Sequence, residues 1–403
     1  MHRILIALAL ALPAPAAAQT IDDFAGAYEA ALGEHIAVSV MDAGGSRLLL
    51  MADTRDDALR VLFPVAGDTF MTGTTIADPS TRERRVVFTR RGGIVDRVEL
   101  TPVDGGSVRS ARRIDLELTP ITMARGGVRL DGTLYLPPQP RGRVPLIALA
   151  HGSENNDRRS FGPLPWVFAA NGYAVLTYDK RGTGTSTGSW SDAGIEELAA
   201  DLAAAIAHVS ERRDIDATRI AIVGSSEGGW VAPAAARTVP VRTIVALSGG
   251  GLTKGHAYVH KNRMLALEQG LAGAALDSAI AEAQLTIDES AARVRANANP
   301  SGFDRRVTYD PAADWSAFRG PVLYMGGEID VLENAAESAA WLRRVFADAG
   351  NPDFVARVFP RAHHSMLLGR EGTPTEFRTL AGIAQLAPGY WPVLLRWLDS
   401  TLR

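Results

Sequence analysis

Residues 224–228 read Gly-Ser-Ser-Glu-Gly directly after the apolar run Arg219-Ile220-Ala221-Ile222-Val223. A strand that ends in a G-x-S-x-G turn and enters a helix holds the middle serine in a strained conformation, with its hydroxyl lifted clear of the sheet. Ser226 is therefore the candidate nucleophile. The chemistry open to it is acyl transfer. A serine hydroxyl is a weak nucleophile and needs a general base, which must itself be oriented by a third group.

The two further groups are expected after later strands, acid first and histidine last. The run Val322-Leu323-Tyr324-Met325 leads into Gly326-Gly327-Glu328-Ile329-Asp330. Either carboxylate competes with a plain turn or helix-cap role, and Asp330 is favoured over Glu328 by motif position. Near the C-terminus, Val355–Phe359 runs into Pro360-Arg361-Ala362-His363-His364. Two of the eight histidines sit here. Either His363 or His364 stands where the base is expected, and the family motif given below selects His364, leaving His363 to pack or hydrogen-bond. A developing oxyanion needs donors as well. One is the backbone N–H of Glu227, the residue after the nucleophile. The other is the N–H of Ser153, in the turn His151-Gly152-Ser153 that closes the strand Leu146–Ala150. His151 precedes the acid in the chain and reads as structural.

Other patterns carry less. Gly182–Gly188 follows a strand, but its spacing is G-x-G-x-x-x-G, one residue off the dinucleotide fingerprint. It reads as a tight turn beside the site. His256 and His260 stand four apart, as metal ligands do, without an H-E-x-x-H pattern or acidic neighbour. The reading therefore calls for no cofactor and no metal. The tryptophans are scattered and make no platform for bases. A formal charge of −3 points to neither nucleic acid nor an anionic membrane surface. The implied partner is a small-molecule ester.

These groups must be carried by a sheet. From about residue 113, strands alternate with helices: Val144–Ala150, Tyr173–Tyr178, Arg219–Val223, Val241–Leu247, Pro321–Met325 and Phe354–Phe359 are strand runs. Continuous apolar strands between helices indicate an α/β fold with a mostly parallel sheet covered on both faces. Residues of about 252–311 lack strand signals. Leu276, Ile280, Ala283, Ile287, Ala291 and Val294 recur at helical steps there, as expected of a helical cap insertion. Residues 19–112 differ. Short alternating runs separated by Gly- and Asp-rich turns predict a small antiparallel β module, with a short helix before it over Ile21–Leu32.

The N-terminus addresses the compartment. His2 and Arg3 precede the apolar stretch Ile4–Leu12, which Pro13 and Pro15 break, and Ala16-Ala17-Ala18 supplies an A-x-A pattern before Gln19. Residues 1–18 are expected to be a signal peptide. The apolar run is too short to span a bilayer. A periplasmic or secreted chain, cleaved near Ala18/Gln19 and with no membrane span afterwards, is the expectation. The chain has no cysteine, which excludes disulfides, thiolate metal sites and a cysteine nucleophile together.

Over roughly residues 114–403 the chain resembles an α/β-hydrolase. More narrowly it is similar to the bacterial esterase-like group near the prolyl-oligopeptidase and dienelactone-hydrolase branches. The matching stretches are Asp131-Gly132-Thr133-Leu134, His151-Gly152-Ser153 with Asp157-Arg158, Tyr178–Gly184, Gly224–Gly229, Gly327–Asp330 and Phe359–His364. In such families the last motif often reads Phe-Pro-Gly-Ala-x-His, which implies His364 as the catalytic histidine. The chain departs from the pattern at Ser225, where histidine is frequent, and at Arg361, where glycine is. The resemblance implies ester hydrolysis, with thioesters, peptides and amides as related substrates. Two rivals stand beside a carboxylesterase: a serine aminopeptidase or dipeptidyl-type peptidase, and a non-catalytic binding protein on a hydrolase scaffold. The second is disfavoured because no triad member is missing.

Overall fold

The computed structural model describes residues 20–43, 46–138, 142–380, 382–383 and 385–403. The expected signal peptide lies outside the described residues. After a 3-10 turn at Ile21–Phe24, eight strands close an antiparallel barrel. They are β1 (Gly26–Ala31), β2 (Glu34–Ala43), β3 (Ser46–Asp53), β4 (Ala58–Ala66), β5 (Thr69–Thr72), β6 (Arg84–Arg91), β7 (Ile94–Pro102) and β8 (Arg109–Arg113).

The helix expected over Ile21–Leu32 is confined to the 3-10 turn at Ile21–Phe24. Gly26–Ala31 pairs with β2 and, through Tyr28 and Glu29, with Arg113 and Arg112 of β8, which closes the ring. Closure removes the unpaired N–H and C=O groups of two sheet edges. That outweighs the few tenths of a kcal/mol per residue, roughly, by which alanines favour a helix. Tyr28 sits fully buried in the barrel core, with Phe24, Phe70 and Phe88 packed edge-on or tilted around one another.

Along β2, Ile36, Val38 and Val40 point into the barrel, while Ala37 between them joins the core of the second unit. The period-2 pleat of one strand thus serves two cores. Polar contacts fasten the same junction. The Ile76 N–H donates to the Ile383 carbonyl at 2.8 Å, and the Leu386 N–H to the Asp57 carbonyl at 2.9 Å.

The second unit begins with the hairpin β9 (Glu117–Arg125) and β10 (Val128–Leu136). Next come β11 (Val144–Ala150), α1 (Leu164–Ala170), β12 (Ala174–Tyr178), α2 (Ile195–Ser210), β13 (Ile215–Ser225), α3 (Gly228–Ala235) and β14 (Thr243–Leu247). Four helices intervene: α4 (Lys254–Glu268), α5 (Gly273–Arg295), α6 (Gly302–Val307) and α7 (Ala312–Ala317). The chain finishes with β15 (Val322–Gly327), α8 (Ala335–Asp348), β16 (Phe354–Phe359), α9 (Pro374–Thr379) and α10 (Tyr390–Leu402). No helix among the described residues is long and apolar enough to cross a membrane.

The eight strands form one mixed sheet in the order β16-β15-β14-β13-β11-β12-β10-β9. Strands β11 to β16 pair in parallel, and β9 and β10 complete one end antiparallel. Leu146, Ala148 and Ala150 of β11 pack into the layer of α2, α3 and α8, and Ile147 and Leu149 into the layer of α1 and α10. Both faces are therefore buried, which explains the unbroken apolar runs. All loops that follow the parallel strands emerge at one end of the sheet, and the candidate site lies there.

Candidate active site

Ser226 stands between the end of β13 and the start of α3 with φ of 52°. That left-handed conformation costs a non-glycine residue about 1–3 kcal/mol and survives only where its surroundings enforce it. Here they do. The Ser226 N–H donates to the Leu247 carbonyl and its carbonyl accepts from the Gly229 N–H, each at 2.8 Å. Two glycines allow the fit. A side chain at Gly228 would collide with the Ala150 carbonyl, and one at Gly249 with the Ser226 carbonyl. Gly228 belongs to the elbow motif. Gly249, in the loop after β14, gives no such signal, because its necessity arises only from a chain that approaches in space.

Asp330 and His364 meet. His364 Nδ1 lies 2.8 Å from Asp330 Oδ2. The other carboxylate oxygen, Oδ1, accepts the N–H groups of Leu332 at 2.8 Å and Glu333 at 3.0 Å. The carboxylate is thereby clamped with one oxygen aimed at the ring. Glu328 does not reach it. Its side chain accepts the Arg361 N–H at 2.9 Å, which supports the histidine loop from outside. Arg361 has φ of 55°, so it occupies the left-handed conformation that a glycine adopts freely. His363 is fully buried and bonds Glu376 through Nε2 at 2.9 Å.

His364 Nε2 is buried and has no hydrogen-bond partner among the described residues. It lines a cavity of about 250 Å³ together with Ser226, Ser153 and Glu227. The structure thus brings the candidate base, nucleophile and both oxyanion residues to one concave surface. The backbone N–H groups of Ser153 and Glu227 donate to no other described residue. The Gly152 carbonyl is held by Lys180 Nζ and by Asn156 Nδ2. Because a trans peptide sets C=O and N–H on opposite sides, the Ser153 N–H of that peptide points away from those partners. The loop is braced further by Arg158, whose guanidinium bonds Asp179 at 2.6 and 2.8 Å. His151 is buried beneath it against Phe161 and Tyr178. Burial and the Lys180 charge push its pKa down to about 3, so it stays neutral.

The side chain of Glu227 is the larger surprise. Sequence reasoning used only its backbone, yet its carboxylate is buried among cations. Lys180 Nζ lies 3.4 Å from Oε1, and Lys254 Nζ and Arg306 Nε, the latter at 3.6 Å, contact Oε2. Burial alone would raise its pKa; Lys254 and Lys180, with Arg306, overcome that and hold it at about 2. Burial in turn lowers both lysines, Lys180 to about 8 despite its carboxylate partner. No motif signals this cluster, because Lys180, Glu227, Lys254 and Arg306 come from four separated segments.

Glu333 also lines the cavity. Its Oε1 accepts the Ser338 hydroxyl at 2.6 Å, and its Oε2 is unpartnered among the described residues. Burial raises its carboxyl to about 7. For His364, burial opposes the charged form, but the Asp330 carboxylate outweighs it, and Glu333 adds to the effect. The ring is held above its ordinary value of 6.5. A general base works only when neutral. The acid limb of kcat/KM is therefore expected above pH 6.5. Glu333→Gln removes a negative charge that favours imidazolium, so the limb should move to lower pH. A pH–rate profile of both proteins checks this, and a limb that moves upward contradicts it.

The two histidines considered as metal ligands are otherwise engaged. His256 Nδ1 lies 2.7 Å from Thr253 Oγ1, and His260 Nε2 lies 2.9 Å from the Asp330 carbonyl. The Gly182–Gly188 turn folds beside the oxyanion loop, where the Thr185 N–H donates to Asp179 at 2.9 Å.

Similar proteins are hydrolases where their names say so. "Hydrolase ORFZ" of Pyricularia oryzae is 30% identical over 133 residues, 30% of this chain and 31% of that protein. An uncharacterized Mycobacterium tuberculosis protein is 34% identical over 125 residues, 31% of this chain and 43% of its own length. These matches thus span less than half of either relative. Among solved structures, a Pyrococcus horikoshii acylaminoacyl peptidase aligns at 13% identity and a TM-score of 0.49, covering 91% of this chain and 56% of that one. A Pyrococcus furiosus esterase aligns at 15% identity and 0.48, covering 72% and 92%. A family model described as X-Pro dipeptidyl-peptidase (S15 family) matches residues 126–349. That span holds Ser226 and Asp330 and exceeds half of the chain, so the protein belongs to the S15 family of α/β-hydrolases.

Proposed function

We propose that this protein is an exported serine hydrolase, a carboxylesterase acting through Ser226, His364 and Asp330. The observation that carries the reading is the single cavity lined by Ser226, Ser153, Glu227 and His364, whose Nε2 is unpartnered among the described residues. His364 Nε2 takes the Ser226 hydroxyl proton as Oγ attacks the ester carbonyl. Asp330 holds the ring through Nδ1 and stabilises the imidazolium. The negative charge of the tetrahedral intermediate develops on the former carbonyl oxygen, where the two N–H groups receive it. The imidazolium then gives its proton to the departing alkoxide. A water molecule, deprotonated by the same nitrogen, releases the acid and restores Ser226. Export is supported by the charged start, apolar run and A-x-A pattern of residues 1–18.

The family's description favours a second reading, a dipeptidyl peptidase. A peptidase of that kind must hold the cationic amine of its substrate. The carboxylate nearest the nucleophile, Glu227, is already engaged by three cations. Lys254, Lys261 and Arg306 line the same cavity beside Glu154 and Glu333, and this surplus of cations supports the esterase over capture of an ammonium group. The test is turnover of a p-nitrophenyl ester series against Xaa-Pro anilides. We expect kcat/KM for the best ester to exceed that for any anilide by about a hundredfold. Faster anilide turnover would replace the esterase with the peptidase.

A further inference from the structure

The elbow and the triad histidine stand on a ridge between two cavities. His364 lines both. Neighbouring residues split across the ridge: Ser225 and Gly152 face one side, Ser226 and Ser153 the other. A scissile ester centred over Ser226 must send its acyl group to one side and its alcohol group to the other.

The two sides differ in chemistry. One cavity, of about 290 Å³, is walled by Met41, Leu50 and Leu59 of the barrel with Phe161, Leu164 and Trp391. It exists only because the barrel packs on the hydrolase unit. The other, of about 250 Å³, is bordered by Lys254, Lys261 and Arg306 from the helices between β14 and β15. Lys254 and Arg306 converge on the buried Glu227 carboxylate with Lys180 behind them, three cations for one anion. Among the described residues, the other partners of Lys180 and Arg306 are neutral: backbone carbonyls of Gly152, Glu154, Trp190, Ser191 and Ala193, and the Trp190 ring between them. Lys261, exposed at the border of the cavity, makes no ion pair among the described residues. The remaining carboxylates of the lining are Glu154, which is exposed, and Glu333, which accepts the Ser338 hydroxyl, so Lys254, Lys261 and Arg306 with Lys180 behind them still outnumber the carboxylates. The inner wall of this cavity therefore carries surplus positive charge beside the nucleophile. Such charge in a partly desolvated cleft attracts and orients an anion.

Resting on the serine esterase reading above, we propose that the substrate is a bipartite ester. It carries a carboxylate on one side of the scissile bond, received by Lys261, Lys254 and Arg306. On the other side it carries an apolar group, received by the pocket that the barrel completes. The barrel thereby belongs to the specificity site.

Two matched pairs of esters test this. The first is 4-nitrophenyl hydrogen succinate and its methyl-capped form, with the charge on the acyl side. The second is 4-butyryloxybenzoate and its methyl ester, with the charge on the alcohol side. In one pair, the charged member should exceed its capped partner in kcat/KM by about tenfold or more. That pair identifies which side enters the cationic cavity. The ratio should fall about fivefold in Lys261→Met, and it should shrink at high salt. Capped members turned over as well as charged ones in both pairs would overturn the proposal and leave the esterase standing. Failure of all four esters, with no labelling of Ser226 by a fluorophosphonate, would overturn the esterase reading and the proposal with it. Where Ser226 labels but no ester turns over, protection decides. Slower labelling with succinate than with dimethyl succinate supports the cationic cavity, and equal protection rejects it.

Discussion

Ser226→Ala is expected to lower ester kcat by about 10⁴-fold or more while the protein keeps its fold. The hydroxyl supplies the bond-forming electron pair, and no neighbouring side chain substitutes for it at the elbow. Structurally the change is small. The Ser226 side chain makes no hydrogen bond to another described residue, and its backbone bonds to Leu247 and Gly229 are indifferent to side-chain identity. Alanine retains the left-handed strain. Ser226→Gly should relieve it and raise stability by about 1 kcal/mol, with activity equally lost. Denaturant unfolding and ester turnover of the two variants together check the assignment. Full activity in either one rejects Ser226 as the nucleophile.

Asp330→Asn is expected to cost about 10³- to 10⁴-fold in kcat near neutral pH. The reason lies in the clamp on Oδ1. The Leu332 and Glu333 N–H groups both donate to that atom, so the asparagine oxygen must stay there. Its NH₂ then takes the Oδ2 position and faces His364 Nδ1, where a donor now meets the ring. The imidazole answers by carrying its proton on Nε2, the atom that must accept from Ser226. The wrong tautomer, rather than a displaced side chain, removes the base. Glu328→Gln serves as the contrast, since Glu328 touches the Arg361 N–H and not the ring; its kcat should fall less than about tenfold. Equal losses in the two variants would show that Asp330 has no special hold on His364.

The order of the site was readable from the chain because each of its groups rests on a local pattern. An apolar strand followed by Gly-Ser-Ser-Glu-Gly specifies a turn, and a turn specifies where a hydroxyl emerges. The Asp330 and His364 loops each follow a buried strand, and parallel strands bring such loops to one end of a sheet. The barrel was legible only as alternation. β1 and β8 are the least legible, because the pairing that closes the ring joins Tyr28 and Glu29 to Arg113 and Arg112, at opposite ends of the module. Gly26–Ala31 lies within the segment expected to be helical. Ring closure with β8 decided otherwise.

The sequence by itself determined the hydrolase class of the fold, the elbow at Ser226 and the chain order of acid and histidine, since these depend on periodicity and short spacing. Only the tertiary structure decided what surrounds them. Glu227 acquired three cations, Glu333 acquired a place beside His364, and Met41 and Leu50 of the barrel became walls of a pocket. Each of those outcomes depends on segments tens to hundreds of residues apart. Burial then changes their chemistry, because a charge removed from water must find its partner wherever the fold has placed one.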